Sequence, residues 1–199
     1  MNNGIMIIVL FGAALAAIAL LVYAVTLYNG LIYLRNQMDK AWANIDVLLK
    51  QRHDLIPNLV ETVKGYATHE RTVFENVTRA RTEAITLQAH GRTDAPQLAQ
   101  AEDYISRTIK SIFAVAEAYP VLKANQNFLA LQESLVRVEN EVAERREFFN
   151  NAVNLYNVAI QRLPDVFVAR FLNFQPALYF RAEDAERTTI SVSFTPPAN

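Results

Sequence analysis

Cysteine is absent from this chain of 199 residues, which removes disulfides, thiol nucleophiles and thiolate metal sites together and agrees with a reducing compartment. Glycine and proline are scarce, 5 and 7 residues against 52% apolar side chains, a balance that favours long helices and leaves extended disorder unexpected except at the last few positions. Charge of one sign is missing as well. With 19 basic and 20 acidic residues the net charge is -1, so no global field recruits nucleic acid, and no nucleic-acid partner is expected. The familiar catalytic templates are lacking: no Gly-rich phosphate loop, no nucleophile elbow, no kinase signature and no Ser in a triad setting. His69-Glu70 has no second His four residues on, which removes the zinc-protease motif. His53 and Glu61 stand eight residues apart with Pro57 between them, too sparse for a metal site, and His90 lies in turn material. The sequence therefore predicts no enzyme, no cofactor and no metal, and no catalytic residue is assigned.

The one long run without charge is Ile5 to Val25. An apolar stretch of roughly 20 residues satisfies its backbone in lipid as a helix of about 30 Å, so a membrane anchor is predicted and the lipid bilayer is the first partner. The residues ahead of it, Met1-Asn2-Asn3-Gly4, lack the basic segment of a cleavable signal, so the anchor is expected to stay. All Lys and Arg residues follow the run, beginning with Arg35 and Lys40, and positive flanks tend to remain in the cytoplasm. That predicts a single-pass protein of the cell membrane with its N-terminus outside and its bulk cytoplasmic. Within the span Gly12, Ala16 and Ala19 share one smooth face along which a second helix can pack. Small residues are also simply common in such helices.

Beyond the span, apolar residues step by four and three: Leu27, Leu31, Leu34, Met38, Ala41, Ile45, Leu48, then Arg52, Leu55 and Leu59. That is a heptad seam continuous with the anchor. Pro57 is expected to kink or restart the helix, with Asp54 as a candidate N-cap for the restart. The seam resumes at Val60 and runs to Ala84, ending near Ala89 before turn residues His90 to Asp94. A third helix is predicted from Pro96 to Tyr119 and a fourth from Asn125–Asn127 to Leu163, the latter with a seam from Phe128 through Val142, Arg145, Phe149 and Ala159 to Leu163. Pro164 to Phe174 reads as a short amphipathic helix with Asn173 as a left-handed stop. The predicted fold is all-α: residues 1–4 a short tail, 5–27 the transmembrane helix, 28–175 an antiparallel four-helix-type bundle, and 176–199 an extended C-terminal tail.

Charges on the seams must find partners. Arg52, Arg81 and Arg145 are expected to form register-setting ion pairs inside the bundle, with Asp54, Glu61, Glu141 and Glu144 among the acids available. In the tail, Ile190, Val192 and Phe194 alternate with hydroxyl residues, a strand signal with no strand beside it, so pairing with an edge of another copy or another protein is one reading and a coil packed along the bundle the other.

Two stretches carry a resemblance. "YNGLIYLRNQMDKAWANIDVLLKQRHDLIPNLVETVKGYATHE", with "ARTEA" close behind, and "AVAEAYPVLKANQNFLALQESLVRVENEVAERREFFNNAVNLYN" resemble the two halves of the LemA family, and "LPDVFVARFLNF" and "YFRAEDAE" resemble its closing segments. Arg181 stands where the family pattern suggests an acid, Asn173 where Gly is usual, and Thr189 to Ser193 lack an expected Pro. The resemblance implies a bacterial protein with one N-terminal membrane helix, an outward N-terminus and a cytoplasmic helical domain. One branch of the family is associated with the magnetosome membrane, which points to membrane organisation, and the family supplies no catalytic residue to carry over. The sequence-based expectation is thus a membrane-anchored structural protein that self-assembles as a homo-oligomer and scaffolds or shapes the membrane. The alternative is an adaptor whose bundle binds a partner protein of unknown identity, such as a membrane protease or signalling protein.

Overall fold

The computed structural model describes residues 2–181. Helix α1 runs without interruption from Asn2 to Lys64, 63 residues, or about 95 Å at 1.5 Å per residue. From Gly4 to Tyr23 every side chain is exposed. This apolar stretch makes α1 the one helix, among the described residues, long and apolar enough to cross a membrane. Burial begins at Ala24 and Leu27 and is complete at Leu31, Met38, Ile45 and Leu49, as the four-and-three spacing requires of a helix with one covered stripe.

The remaining helices fold back along the C-terminal half of α1. Helix α2, Arg71–Ala89, runs antiparallel to it: Arg81 lies beside His53, Gln88 beside Asp46, and Arg92, just beyond the helix, beside Asp39. A 3-10 turn at Gly91–Asp94 reverses the chain, with Gly91 in the left-handed region at φ 68°, where a side chain would be strained. Helix α3, Ala95–Glu117, then returns parallel to α1 and packs along α2, with Leu98, Ile105, Ile109 and Ile112 buried. After a single turn, α4 at Pro120–Lys123, the long helix α5 descends over Gln126–Ala159. Asn125 caps it, its side chain accepting from the Phe128 amide, one of the orphan donors of a first turn. α5 packs along α1, where Trp42 meets Phe149 with ring centroids 5.2 Å apart. The architecture is an up-down-up-down bundle built onto the anchor, and among the described residues there is no strand.

Two boundaries differ from the sequence-based expectation. The first break falls at Gly65–Glu70 rather than at Pro57, and Asp54 caps nothing: it lies mid-helix, ion-paired with Lys50 at 3.0 Å. α5 stops at Ala159 rather than Leu163. Helix α6, Asp165–Phe171, follows and ends as predicted on Asn173 at φ 57°. From Phe174 to Phe180 the chain turns back along α5 in extended form. Asn157 accepts from the Ala177 amide and donates to its carbonyl, at 2.8 and 2.9 Å. Asn150, seven residues earlier, does the same for Phe180 at 2.8 and 3.3 Å. An amide side chain presents N–H and C=O in one plane, so each Asn replaces the missing strand neighbour of a peptide unit. The expected strand residues Ile190, Val192 and Phe194 lie outside the described residues.

Candidate functional site: a buried polar junction

Midway along the bundle α1, α3 and α5 meet around charge. Arg52 sits where the α1 seam calls for an apolar residue and is 2% exposed. Its Nη1 pairs with Glu102 Oε2 at 3.1 Å, its Nη2 donates to Ser106 Oγ at 2.7 Å, and Glu139 of α5 stands 3.6 Å away. The other oxygen of Glu102 takes His53 Nε2 at 2.7 Å. Since a carboxylate only accepts, that nitrogen carries the proton. Glu102 is 1% exposed; one acid thus satisfies two neighbouring residues of α1 and locks α3 to it. Arg146 of α5 reaches Asp103 of α3 at 3.0 Å beside the same junction.

The acid that meets Arg52 is therefore Glu102, not one of the candidates named from the sequence. Glu61 points to solvent and pairs with Lys64. Glu141 pairs with Arg137 along its own helix. A signal for Glu102 was present: Leu98, Glu102, Ile105, Ile109 and Ile112 step by four, three, four and three, so a seam acid stands on the third helix to match a seam base on the first.

Arg81 answers a different need. Its Nε donates to the backbone carbonyl of His53 at 2.7 Å. That carbonyl lies four residues before Pro57, whose nitrogen has no hydrogen to give it. The guanidinium supplies the donor that proline lacks, and α1 continues through Pro57 instead of breaking. Arg145 meets no acid among the described residues; its guanidinium lies over the Phe148 ring, 5.7 Å from the centroid. Gly12, Ala16 and Ala19 are all exposed on the span, and a Cβ built on Gly12 meets nothing within 4 Å.

Chemically, the junction binds itself. The Ser106 hydroxyl is engaged by Arg52 and donates to the Glu102 carbonyl of its own helix at 3.2 Å. His53 is 2% exposed. Arg52 Nε and His53 Nδ1 have no partner among the described residues, and a buried polar atom left unpaired costs stability. Nearer the anchor, burial pushes the Tyr156 phenol above its ordinary value, with Arg35 and Arg92 pulling the other way. It remains a donor, to the Gln175 carbonyl at 2.9 Å.

The sequence model of the LemA family matches residues 41–194, a span that takes in the junction residues Arg52, His53, Glu102 and Glu139 and both Asn150 and Asn157. The chain belongs to the LemA family. Similar proteins include Magnetosome protein MamQ 2 of Paramagnetospirillum magneticum, 24% identical across 89% of this chain and 73% of its own length. Magnetosome protein MamQ of Magnetospirillum gryphiswaldense is 23% identical across 89% of this chain and 74% of its own. Protein LemA of Metamycoplasma hominis is 23% identical across 83% of this chain and 74% of its own. None of these names denotes an enzyme. In this LemA-family chain the residues singled out by charge and burial hold helices together.

Proposed function

We propose that this LemA-family protein is a membrane-anchored, non-enzymatic structural protein that self-assembles and scaffolds or shapes the membrane. The observation that carries the reading is α1: one uninterrupted helix contributes both the exposed apolar segment and the spine of the bundle. A span fused in this way to a rod transmits any side-by-side pairing in the bilayer to the bundle. The small face of Gly12, Ala16 and Ala19 supplies a surface for such pairing, because close backbone approach gains dispersion contacts that lipid tails do not replace. Relatives named as magnetosome proteins agree with a role at a membrane. The absence of Lys and Arg before Arg35 supports a single-pass arrangement in the bacterial cell membrane, with the bundle in the cytoplasm and the N-terminus outside.

A second reading, an adaptor that presents its bundle to another protein, draws on a groove of about 430 Å³ between α1 and α5 lined by Tyr33, Leu34, Phe148 and Leu155. The two readings separate by crosslinking, for which a chain without native cysteine is well suited. In membranes, Gly12→Cys, Ala16→Cys and Ala19→Cys should oxidise to disulfide dimers, whereas Leu10→Cys and Leu21→Cys, on the opposite side of the helix, should stay monomeric. Equal crosslinking at all five positions, or none at any, removes the pairing face and leaves the adaptor.

A further inference from the structure

Helix α6 stands at the end of the bundle where the apolar segment of α1 finishes. It packs on α1, and Phe174, just past its end, meets Tyr28 edge to face with centroids 6.2 Å apart. Tyr28 follows Val25 by three residues, about 4.5 Å along the axis, so α6 lies at the depth of the lipid headgroups if α1 crosses the bilayer as proposed above. It buries Asp165 and Ala169 and turns the other face outward: Leu163, just ahead of the helix, is 72% exposed, and on the helix Phe167 is 69% and Phe171 88% exposed. The last two stand four residues apart, hence on one face. Large apolar side chains this exposed and this close together are a surface meant for a partner. The charges around them have one sign. Arg162 and Arg170 are exposed, while the one acid, Asp165, is buried and accepts from Arg162 Nε at 2.9 Å.

We propose that α6 is a second membrane contact, lying in the interface of the bilayer that α1 crosses, with Phe167 and Phe171 among the outer acyl segments and Arg162 and Arg170 on anionic headgroups. The inference rests on α1 spanning the membrane, because that fixes the depth of α6. Lipid is the occupant that continuity selects: the same surface already surrounds α1 one turn away, and the aromatic and basic composition is that of an interfacial helix. The contact gives the bundle two attachments and so fixes its tilt and rotation on the membrane, where one helix alone would leave it free to swing.

The test uses the full chain reconstituted in vesicles of phosphatidylcholine and phosphatidylglycerol, with a fluorophore on single cysteines: Leu15→Cys in the span, Phe171→Cys on α6 and Val136→Cys on α5. Quenching by acyl-chain nitroxides, a deep one for position 15 and a shallow one for position 171, should be at least about threefold stronger than at 136, and aqueous iodide should reach 136 best. Quenching at 15 with position 171 behaving like 136 overturns the inference and leaves the span intact. No lipid quenching at 15 overturns the span and the inference with it. Protection of 171 from both quenchers means that protein covers α6, and this too overturns it.

Discussion

Arg52 is carried into the bundle by the helix it belongs to, not by its own chemistry, and its burial is tolerable only because Glu102 arrives from another helix. Removing one member of a buried ion pair leaves the other charge unpaired, which costs about 3–5 kcal/mol. Glu102→Ala also takes the acceptor from His53 Nε2. It should therefore lower the unfolding free energy by that order, read from denaturant unfolding in detergent, and Glu102→Gln, which keeps an oxygen in place, should cost less. A loss within about 0.5 kcal/mol, the range of surface substitutions, would contradict the account of the junction. At this scale the sequence was half legible. A base on a seam announces that an acid is needed, but which acid depends on how α3 slides along α1, and the fold brought in none of Asp54, Glu61, Glu141 and Glu144 but a residue 50 positions away. Asn150 and Asn157 escaped notice for a similar reason: two asparagines seven apart read as helix surface until a segment of chain lies down beside them.

The helices themselves were legible because their stripes must be covered. Leu31, Met38, Ile45 and Leu59 on α1 and Phe128, Leu135, Val138, Val142 and Phe149 on α5 are buried as their spacing demands. Pro57 misled because the hydrogen bond it removes is local while the remedy is not. The ring removes one hydrogen bond from α1, and Arg81, 24 residues further along the chain, restores it to the His53 carbonyl. The arrangement predicts coupling. Arg81→Met in the native chain strips a donor from a carbonyl inside the bundle, a loss on the order of 1–3 kcal/mol. In a Pro57→Ala background the amide of residue 57 takes over, and the same substitution should cost at least about 1 kcal/mol less. Additive effects in this double-mutant cycle, measured by denaturant unfolding, would show that Arg81 does not stand in for the missing amide.

For the whole molecule, one long helix is both anchor and spine, and everything else wraps its C-terminal half. The polar junction fixes how α3 and α5 sit on α1, the two Asn clamps return the chain from α6 along α5, and the anchor is left with its full circumference open to lipid or to other copies. Such a design offers much lateral surface, which suits the assembly proposed above. Periodicity made the anchor and bundle readable, since each is a pattern within a single chain. Assembly is a relation between chains and leaves only traces such as Gly12 and its neighbours. The mass of the full-length protein in mild detergent, with its particles viewed by electron microscopy, tests it most directly. The account predicts a discrete particle several times the mass of one chain, broken up by Gly12→Ile combined with Ala16→Ile. A monodisperse monomer under the same conditions would contradict it.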